Sequence, residues 1–353
     1  MKQIVVTLLL ILPLLLQGQN IKFIRFKPKE VATLNLSQIT EKVTPISLSS
    51  YKDLNKNGYR FFYITDDYLF VIGTGNAIAQ LNISGKYIKT VYCSGYITGI
   101  TGDPVKKEIY ICTNSKVICC DYSLTIKKIF TTMYNTQSIF FYNNKLCIAS
   151  YECKENGVSR GVTYRISSMN TDTGKEKFFP LEIKTRVDNQ SVIVIQKSTF
   201  SVYNDQIVYS NPDNSTYSNI INSTLYGIKG DSIYPLIQYE VEPLGGDSMY
   251  MITPLHRQGF IGKNLLVEYQ MASSVSTFHA QSFIYLEDME TGRGYNLKET
   301  INDDLYHTGN CKLDCFANKQ GYFIICREEN DLKKSPNLKI PTNSPAIFIV
   351  KMK

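Results

Sequence analysis

The sequence of 353 residues lacks tryptophan, contains only three histidines and has no block of five or more like charges. Its formal net charge is +7, but the basic residues are scattered along the chain. Nucleic-acid binding proteins concentrate basic residues on one face or segment, so this distribution predicts a solvated surface and no nucleic-acid partner. None of the histidines, His256, His279 and His307, pairs in sequence with a plausible nucleophile, so the chain shows no recognisable histidine-dependent catalytic motif.

Long apolar runs are missing after the first residues. The one such run, Ile4–Leu16, follows the positive Lys2 and precedes Gln17-Gly18, where a small residue permits cleavage. It is shorter than the roughly 20 residues that a membrane span requires. We therefore predict a signal peptide over residues 1–18 and a mature chain that is periplasmic or extracellular. The first cysteine is Cys93, so lipid anchoring through an N-terminal cysteine is not expected.

The nine cysteines form an odd set with irregular spacing. Several lie in apolar, strand-like runs such as YICTN and FIICRE, where a cysteine behaves as a small buried hydrophobe. We expect most of them to be reduced and buried, and one or two disulfides are the alternative. The best zinc candidate, Cys311 and Cys315 with His307, lacks a matching second pair, so no metal and no cofactor is predicted.

A repeated strand pattern occupies most of the chain. Short apolar runs rich in Tyr, Val, Ile and Phe alternate with turns of Gly, Asn, Asp and Lys. Residues 97–130 contain four such runs joined by connections short enough for hairpins, which predicts a four-stranded antiparallel meander. The same pattern recurs over residues 59–91, 136–179, 198–239 and 248–297. The last unit, residues 312–353, has only three runs.

Six meanders at this spacing predict an all-β fold, a six-bladed β-propeller with four-stranded antiparallel blades. A β-sandwich is the alternative, but it does not predict the same meander six times. A ring with an incomplete last blade exposes sheet edges, which a strand from the N-terminus can cover. Val43–Leu48 is the first candidate for this closing strand and Val31–Leu36 the second. Residues 19–353 are thus predicted to form one propeller domain.

Three segments carry a resemblance to a known family. They are LNLSQITEKVTPISL (Leu34–Leu48), IAQLNISGKYIKTV (Ile78–Val91) and GITGDPVKKEIYI (Gly99–Ile111). In this order they resemble the six-bladed propellers exported by Bacteroidetes, which are similar in repeat style to NHL and TolB-like propellers. The resemblance implies residence in the envelope or outside the cell, and it implies no reaction. The chain departs from many members in lacking a lipid-attachment cysteine and a Gly-Pro-rich turn after the first blade.

Two short motifs suggest chemistry but are better explained as turns. Gly157-Val-Ser159-Arg-Gly161 matches the nucleophile-elbow pattern, which works only on a strand-to-helix turn, whereas a strand-like run follows here. Its glycines are expected at a turn between strands of the third blade. Asp53-Leu-Asn55-Lys-Asn57-Gly58 copies the first half of a calcium loop. Ile64 stands where calcium requires a bidentate Glu, so an Asx-rich turn is favoured.

Propeller topology predicts where a binding site would lie. Connections from second to third strands, and from each fourth strand to the next blade, emerge on one face. The long loops expected there are Tyr151–Val162, Asn211–Thr224, Met271–Gln281 and Arg327–Pro345. Long loops on a rigid scaffold are where binding residues concentrate. The predicted ligand-binding residues are Tyr134, Arg160, Tyr217, His279, Asp304, His307 and Arg327, whereas His256 and Arg257 fall on the opposite face.

The function favoured by the sequence is a non-enzymatic binding or scaffold propeller of the cell envelope. Its ligand would be a glycan, a peptide or an envelope protein, bound at the channel mouth. The alternative is a glycan hydrolase or lyase in which Asp303, Asp304 and His307 act at the channel mouth. Adjacent Asp residues in an extended segment point apart, so the second carboxylate of a glycosidase would come from another blade.

Overall fold

The computed structural model describes most of the chain after residue 20. The described residues are 21–26, 33–48, 59–73, 76–156, 159–187, 199–210, 221–241, 251–272, 281–298, 301–311, 313, 315–316 and 320–353. Three elements precede the first blade, namely β1 (Lys22–Phe26), α1 (Leu36–Ile39) and β2 (Thr40–Ser47). In this part of the chain no helix has the length and apolar character needed to cross a membrane.

The first three blades follow in sequence, each an antiparallel meander whose first strand is innermost. Blade 1 contains β3 (Tyr59–Ile64), β4 (Tyr68–Gly73), β5 (Ala77–Asn82) and β6 (Tyr87–Tyr92). Blade 2 contains β7 (Ile97–Asp103), β8 (Glu108–Thr113), β9 (Lys116–Asp121) and β10 (Ile126–Thr131). Blade 3 contains β11 (Asn135–Tyr142), β12 (Lys145–Asn156), β13 (Ser159–Met169) and β14 (Glu176–Val187).

The remaining blades complete the ring, with a small hairpin between blades 5 and 6. Blade 4 contains β15 (Thr199–Tyr203), β16 (Gln206–Ser210), β17 (Ile221–Lys229) and β18 (Ser232–Val241). Blade 5 contains β19 (Met251–Ile261), β20 (Asn264–Ala272), β21 (Gln281–Asp288) and β22 (Arg293–Leu297). The hairpin is β23 (Ile301–Asp303) and β24 (Gly309–Cys311). Blade 6 contains β25 (Cys315–Phe316), β26 (Tyr322–Arg327), β27 (Ala346–Met352) and β2, with α2 (Glu329–Leu332) after β26.

The N-terminal strand β2 closes the ring. It pairs antiparallel with β27, with Val43 opposite Val350 and Ile46 opposite Ile347. The innermost strands contact one another around the centre, and β25 of the last blade contacts β3 of the first. The predicted six-bladed propeller, closed by an N-terminal strand, is therefore confirmed. The second candidate for closure forms no strand over Leu34–Leu36, because Asn35 makes a single bridge to Asn302 and Leu36 begins α1.

The hydrophobic core lies between the blades. Six clusters of described buried residues fill the spaces between successive blades, one at each junction of the ring. Burying one Val, Leu, Ile or Phe side chain contributes about 1.5–3 kcal/mol, so the stability of the ring is distributed over these junctions. The junction of blades 5 and 6 also buries Leu34, Ile301 and Leu313, which belong to segments outside the meanders.

The strand β1 has no counterpart among the sequence predictions. It pairs in parallel with β18 from Lys22 opposite Ile237 to Phe26 opposite Val241, and it gives blade 4 a fifth, outermost strand. Ile24 is 6% exposed and belongs to the cluster between blades 4 and 5. Covering an edge strand removes a row of open backbone groups from the surface.

The expectation of buried cysteines outside disulfides is confirmed for six of the described ones, whereas Cys153 is exposed. The buried thiols, five of them within strands, are Cys93, Cys112, Cys119, Cys120, Cys147 and Cys311. Burial raises the pKa of the Cys147 thiol to about 12. A thiol with so high a pKa is rarely a thiolate at neutral pH, so this residue behaves as a small apolar side chain.

Candidate functional site

The two faces of the propeller differ in the length of their connections. We call the loop-rich face the one that carries the connections from second to third strands and from each blade to the next. On the opposite face, two-residue turns join the first and second strands of blades 3, 4 and 5. Asn143-Asn144 and Asn204-Asp205 have positive φ angles of 47° and 59° and of 48° and 56°, as tight hairpin turns of the primed types require. These turns are short, so they project little from the ring on the opposite face.

The sheets of blades 3, 4 and 5 extend beyond the ring on the loop-rich face. In blade 3, β11 pairs with β12 only as far as Asn135 opposite Tyr151. The pairing of β12 with β13 continues beyond it, up to Asn156 opposite Ser159. In blade 4, β17 and β18 pair up to Ile221 opposite Val241, past the end of β16. We call these extensions, with the long first hairpin of blade 5 (Met251 opposite Ala272), the raised wall.

The raised wall corrects one sequence prediction and places a second motif. The expected loop over Tyr151–Val162 is wrong, because all but its tip forms a β-hairpin of β12 and β13. Ser159 and Gly161 lie in β13, opposite Asn156 and Lys154, rather than at a strand-to-helix turn. The strand that the sequence predicted after the motif is thus present, and Gly161 lies within it rather than at the expected turn.

Tyr134 lies at the base of the raised wall, in the connection from blade 2 to blade 3. The guanidinium carbon of Arg165 lies 4.5 Å from the centre of its ring. The ring of Phe178 meets it edge-on, with 5.5 Å between ring centroids. Arg165 belongs to β13, where Tyr164 and Ile166 on either side point into the core, so strand alternation turns Arg165 to the other face. This predicted site residue is therefore held in one orientation by blade 3.

Two carboxylates hold Arg165 in place over Tyr134. Its Nη1 is 3.0 Å from Oε2 of Glu152 and its Nη2 is 2.9 Å from Oε1 of Glu182. A hydrogen bond from Lys184 and the charge of Arg165 lower the pKa of the Glu182 carboxyl. Beside Tyr134, the side chain of Met133 is 71% exposed. The connection from blade 2 to blade 3 thus brings together an aromatic ring, a cation, two anions and an exposed thioether. This combination suits recognition of a partner with both polar and apolar groups.

Asp303 and Thr308 build the turn of the hairpin between blades 5 and 6. Asp303 is 1% exposed. Its carboxylate accepts hydrogen bonds from the backbone N–H of Leu305 and Tyr306 at 3.2 and 3.0 Å. It also accepts a hydrogen bond from the hydroxyl of Thr308 at 2.5 Å. A carboxylate satisfied in this way stabilises its own turn and is not presented to a substrate.

Asp304 and His307 lie at the outer end of the junction of blades 5 and 6. Asp304 accepts hydrogen bonds from the backbone N–H and the hydroxyl of Ser37, at 2.9 and 2.5 Å. In the same turn, the hydroxyl of Tyr306 donates to the carbonyl of Val43 on β2, the outermost strand of blade 6. The placement of Asp303, Asp304 and His307 at the channel mouth is therefore wrong. The hairpin projects outward because its apolar residues pack against the N-terminal segment.

Arg327 is 4% exposed and lies at the end of β26. Its Nη1 and Nη2 donate to the carbonyls of Asn310 and Gly309, at 2.8 and 3.0 Å. Asp331 of α2 is 4.0 Å from the same guanidinium. The side chain thus fastens β24 to blade 6. The predicted loop that begins here contains the short helix α2, whose Leu332 is fully buried in the junction.

The remaining predicted site residues are only partly described. Arg160 lies in β13 opposite Glu155 and Val187, which puts its backbone in the raised wall. His256 and Arg257 lie in β19, within the long first hairpin of blade 5. Tyr217, His279 and the calcium-loop candidate over residues 53–58 lie outside the described residues. In the described ranges no group of three His, Cys, Asp or Glu side chains is arranged to hold a metal ion.

Sequence reasoning missed Arg165, Glu152 and Glu182. The available signal was the alternation of β13, where Val162, Tyr164 and Ile166 mark the buried face. A charged residue between them faces outward, with Glu182 opposite it on β14 and Glu152 diagonal to it on β12. The pairing register that identifies Glu182 as the residue opposite Arg165 depends on strand lengths that the sequence does not display.

The sequence matches no protein-family model and no curated protein. Among solved structures, BamB from Moraxella catarrhalis has 11% identity, covers 89% of this chain and 99% of its own, and gives a TM-score of 0.41. A gluconolactonase from Xanthomonas campestris has 8% identity, with 93% and 96% covered and a TM-score of 0.49. For hydrazine synthase from Kuenenia stuttgartiensis the identity is 12%, with 76% and 73% covered and a TM-score of 0.49. Likeness of this extent indicates neither a ligand nor a reaction.

Proposed function

We propose that this chain is a non-enzymatic binding or scaffold propeller of the cell envelope, which binds a glycan, a peptide or a partner protein on its loop-rich face. The observation that carries the proposal is the raised wall. Closing a ring requires strands only as long as those of blades 1 and 2, which have six or seven residues, whereas β12, β13 and β14 have 11 or 12. The additional strand length is confined to one face, where in blade 3 it adds surface above the second, third and fourth strands.

Within this face the proposed binding surface centres on the connection from blade 2 to blade 3. Met133, Tyr134 and Arg165 stand there on a rigid support, and Tyr and Arg are residue types that contribute strongly to recognition. The connections that carry Tyr217 and His279 leave from the extended sheets of blades 4 and 5, so we include both residues in the proposed surface. Arg160 joins them through its place in the wall. Asp304 and Arg327 bind other parts of the chain, and His307 lies at the outer end of the junction of blades 5 and 6. We therefore place these three residues at the periphery of the proposed surface.

The envelope assignment rests on the sequence. The leader over residues 1–18 supports export, and the resemblance to exported Bacteroidetes propellers supports residence in the periplasm or outside the cell. Residues 19–353 would then be the mature, single propeller domain. The hydrolase or lyase alternative loses its named residues, because Asp303 holds its own turn and Asp304 binds Ser37.

A shortened-hairpin variant tests the proposal. Residues 154–161 are replaced by Asn-Gly, which makes a tight hairpin turn after the pair Cys153 and Val162, keeps the buried Val162 and lowers the wall of blade 3. Binding to a panel of bacterial and host glycans, and to proteins of the native envelope fraction, is measured for this variant and the wild type. We expect the wild type to retain a ligand that the variant loses, with the same melting temperature for both. The matched control is Val105→Ser, since Val105 is 86% exposed on the opposite face.

Each result has a defined meaning. Retention of the ligand by the shortened variant would show that the raised wall is not the binding surface. Loss of the ligand in Val105→Ser would place binding on the opposite face. Release of products from any glycan of the panel would favour the enzymatic alternative.

A further inference from the structure

The outer edge of blade 2 is open among the described residues. β10, with the sequence IKKIFT, is the last strand of its sheet, and no described strand pairs with its outer side. An edge strand presents a row of backbone donors and acceptors that a further strand can use. Natural proteins protect such edges with lysines and β-bulges, and β10 has two lysines and a register shift between Ile126 and Lys128, but it also exposes two isoleucines.

The isoleucines extend the core toward solvent. Ile126 and Ile129 are each 55% exposed. They stand opposite Cys120 and Ile118 on β9, and both of these belong to the cluster between blades 1 and 2. Residues directly opposite in an antiparallel pair share a face, so Ile126 and Ile129 point to the side of blade 1. The core between the two blades thus continues outward into an apolar surface that described residues leave uncovered.

The lysines of β10 point the other way. Nζ of Lys127 is 3.2 Å from Oε1 of Glu108, and Nζ of Lys128 is 3.8 Å from Oδ1 of Asp172 in blade 3. Both lysine side chains are 42% exposed, so a further anion can approach them. β10 contains two bases and no acid, and the neighbouring outermost strand β6 contains Lys89 and no acid. The side of β10 toward blade 3 is therefore basic, and the side toward blade 1 is apolar apart from Lys89, whose Nζ donates to the carbonyl of Ser123.

Blade 4 shows how this fold uses an outer edge. There β1 adds a fifth strand to β18, and its Ile24 completes the core between blades 4 and 5. Opposite charges match across the contact: Arg25 is 3.4 Å from Glu240, and Lys22 is 3.4 Å from Glu287. The covering strand KFIRF carries two bases and no acid, whereas β18 carries one acid and no base. At β10 the charge of the edge is reversed, so a covering strand there needs acidic residues.

We propose that the outer edge of blade 2 binds an extended, acidic segment of a partner protein, which adds as a fifth strand to β10. Alternate residues of a strand point to opposite sides, so the bound segment alternates apolar with acidic side chains. Its apolar residues cover Ile126 and Ile129, and its acidic residues face Lys127 and Lys128. This surface lies on the perimeter, so the inference goes beyond the function proposed for the loop-rich face.

Synthetic peptides test the proposal on the full mature chain. One fluorescein-labelled peptide alternates Ile with Glu, and a second alternates Ile with Lys. A third has the acidic sequence with N-methyl groups on alternate backbone nitrogens, which removes the donors that strand addition requires. We expect the acidic peptide to bind, the basic peptide to bind about tenfold more weakly or not at all, and the methylated peptide to lose binding.

Variants of the chain identify the edge. In Ile126→Thr/Ile129→Thr the strand propensity is kept while apolar area is lost, so binding of the acidic peptide should weaken about tenfold. Lys127→Gln/Lys128→Gln should remove the preference for the acidic over the basic peptide. Ile83→Thr is the matched control, since Ile83 is 40% exposed and lies on the turn after β5, and it should bind as the wild type does.

Several outcomes would overturn the proposal. They are no binding of the acidic peptide to the wild type, equal binding of the acidic and basic peptides, full binding of the methylated peptide, and unchanged binding in the isoleucine double variant. Self-association of the wild type that disappears in Ile126→Thr/Ile129→Thr would assign the edge to a second copy of this chain. Sedimentation velocity across a range of concentrations measures this last outcome.

Discussion

Asp303 and Asp304 are neighbours in sequence but serve different parts of the fold. The first holds the turn of the hairpin between blades 5 and 6, and the second receives Ser37 from the N-terminal segment. Asp303 ends β23 and is buried, whereas Asp304 lies in the turn that follows and is half-buried, so the two carboxylates reach different partners. At the scale of residues, acidic side chains that suggested catalysis therefore tie together segments that are distant in sequence.

The bond between Asp304 and Ser37 predicts a pH-dependent loss of stability. Partial burial raises the pKa of the Asp304 carboxyl, but the two hydrogen bonds from Ser37 outweigh it and leave the pKa below its ordinary value. A lowered pKa means that this stabilisation is present above the unfolded value of about 3.9 and is lost as the pH falls through the folded value. Asp304→Asn should cost about 1 kcal/mol at neutral pH and less near pH 3, which lies below the unfolded pKa.

Urea unfolding at both pH values measures the effect of Asp304→Asn on the free energy of unfolding. Asp67→Asn is the control, because Asp67 is exposed on a turn of blade 1 and should change stability little at either pH. A destabilisation by Asp304→Asn that is equally large at both pH values would show that the ionised carboxylate is not the stabilising form.

Thiol reactivity is a second prediction at the residue scale. Burial raises the pKa of Cys119 to about 11 and that of Cys120 to about 12. Cys153 is exposed in the hairpin of the raised wall. Iodoacetamide at neutral pH should therefore label Cys153 first, and the buried cysteines only after unfolding. Mass spectrometry of digests locates the label, and early labelling of Cys120 in the folded protein would contradict the placement of that thiol in the core.

At the scale of elements, the strands differ more in length than in kind. The strands of blades 1 and 2 have six or seven residues, whereas blades 3 to 5 contain longer strands that continue beyond the ring as the raised wall. Each extension keeps its hydrogen-bonded register, as Glu155 opposite Arg160 shows in blade 3. The raised wall is therefore an ordered, sheet-based surface that a ligand would meet in a set shape.

The covering strand β1 makes a prediction of its own. Ile24→Ala removes a side chain that is 6% exposed, and it should lower the free energy of unfolding by about 2 kcal/mol. Because β1 contacts the ring through one edge, the loss should be local, with faster amide hydrogen exchange in β1 and β18 only. Phe23→Ala is the control, since Phe23 is 50% exposed and should matter much less. Faster exchange in all six blades would contradict a local role.

At the scale of the whole molecule, the six junctions form a closed series. Each blade packs against two neighbours, and the series closes only where β2 completes blade 6 and packs toward blade 1. Ile46 is 3% exposed in that last junction, with Leu69 and Ile347 in the same cluster. A change at this position weakens a contact on which the arrangement of every blade depends.

Ile46→Ala should therefore act globally. We expect a loss of about 2–4 kcal/mol in the free energy of unfolding, because a buried cavity replaces the side chain. Native-state hydrogen exchange should show the slowest amides of all six blades accelerated by a similar factor, in contrast to the local effect of Ile24→Ala. Acceleration confined to blade 6 and blade 1 would mean that the ring opens there without disturbing the rest.

The fold could be predicted from the sequence because the same short pattern recurs in each blade. Alternating apolar residues and turn residues mark each meander, and the missing strand of the last unit indicates closure. The candidate site was predictable only in part. Tyr134 was identified from its place in a connection, but the orientation of Arg165 depends on pairing register. The outward position of Asp304 depends on its bond with Ser37, whose partners lie far apart in sequence, and β1 reads as an ordinary short apolar run.

Closure by β2 has a consequence for how the chain is made. A strand near residue 40 pairs with one near residue 350, so the contact that seals the ring can form only after almost the whole propeller has been synthesised. Until then two surfaces are available to other chains: the edge of β2 that will pair with β27, and the faces of blades 1 and 6 that will pack together. We therefore expect nascent chains that end before β27 to depend strongly on chaperones, since every earlier blade can fold while the circle stays incomplete.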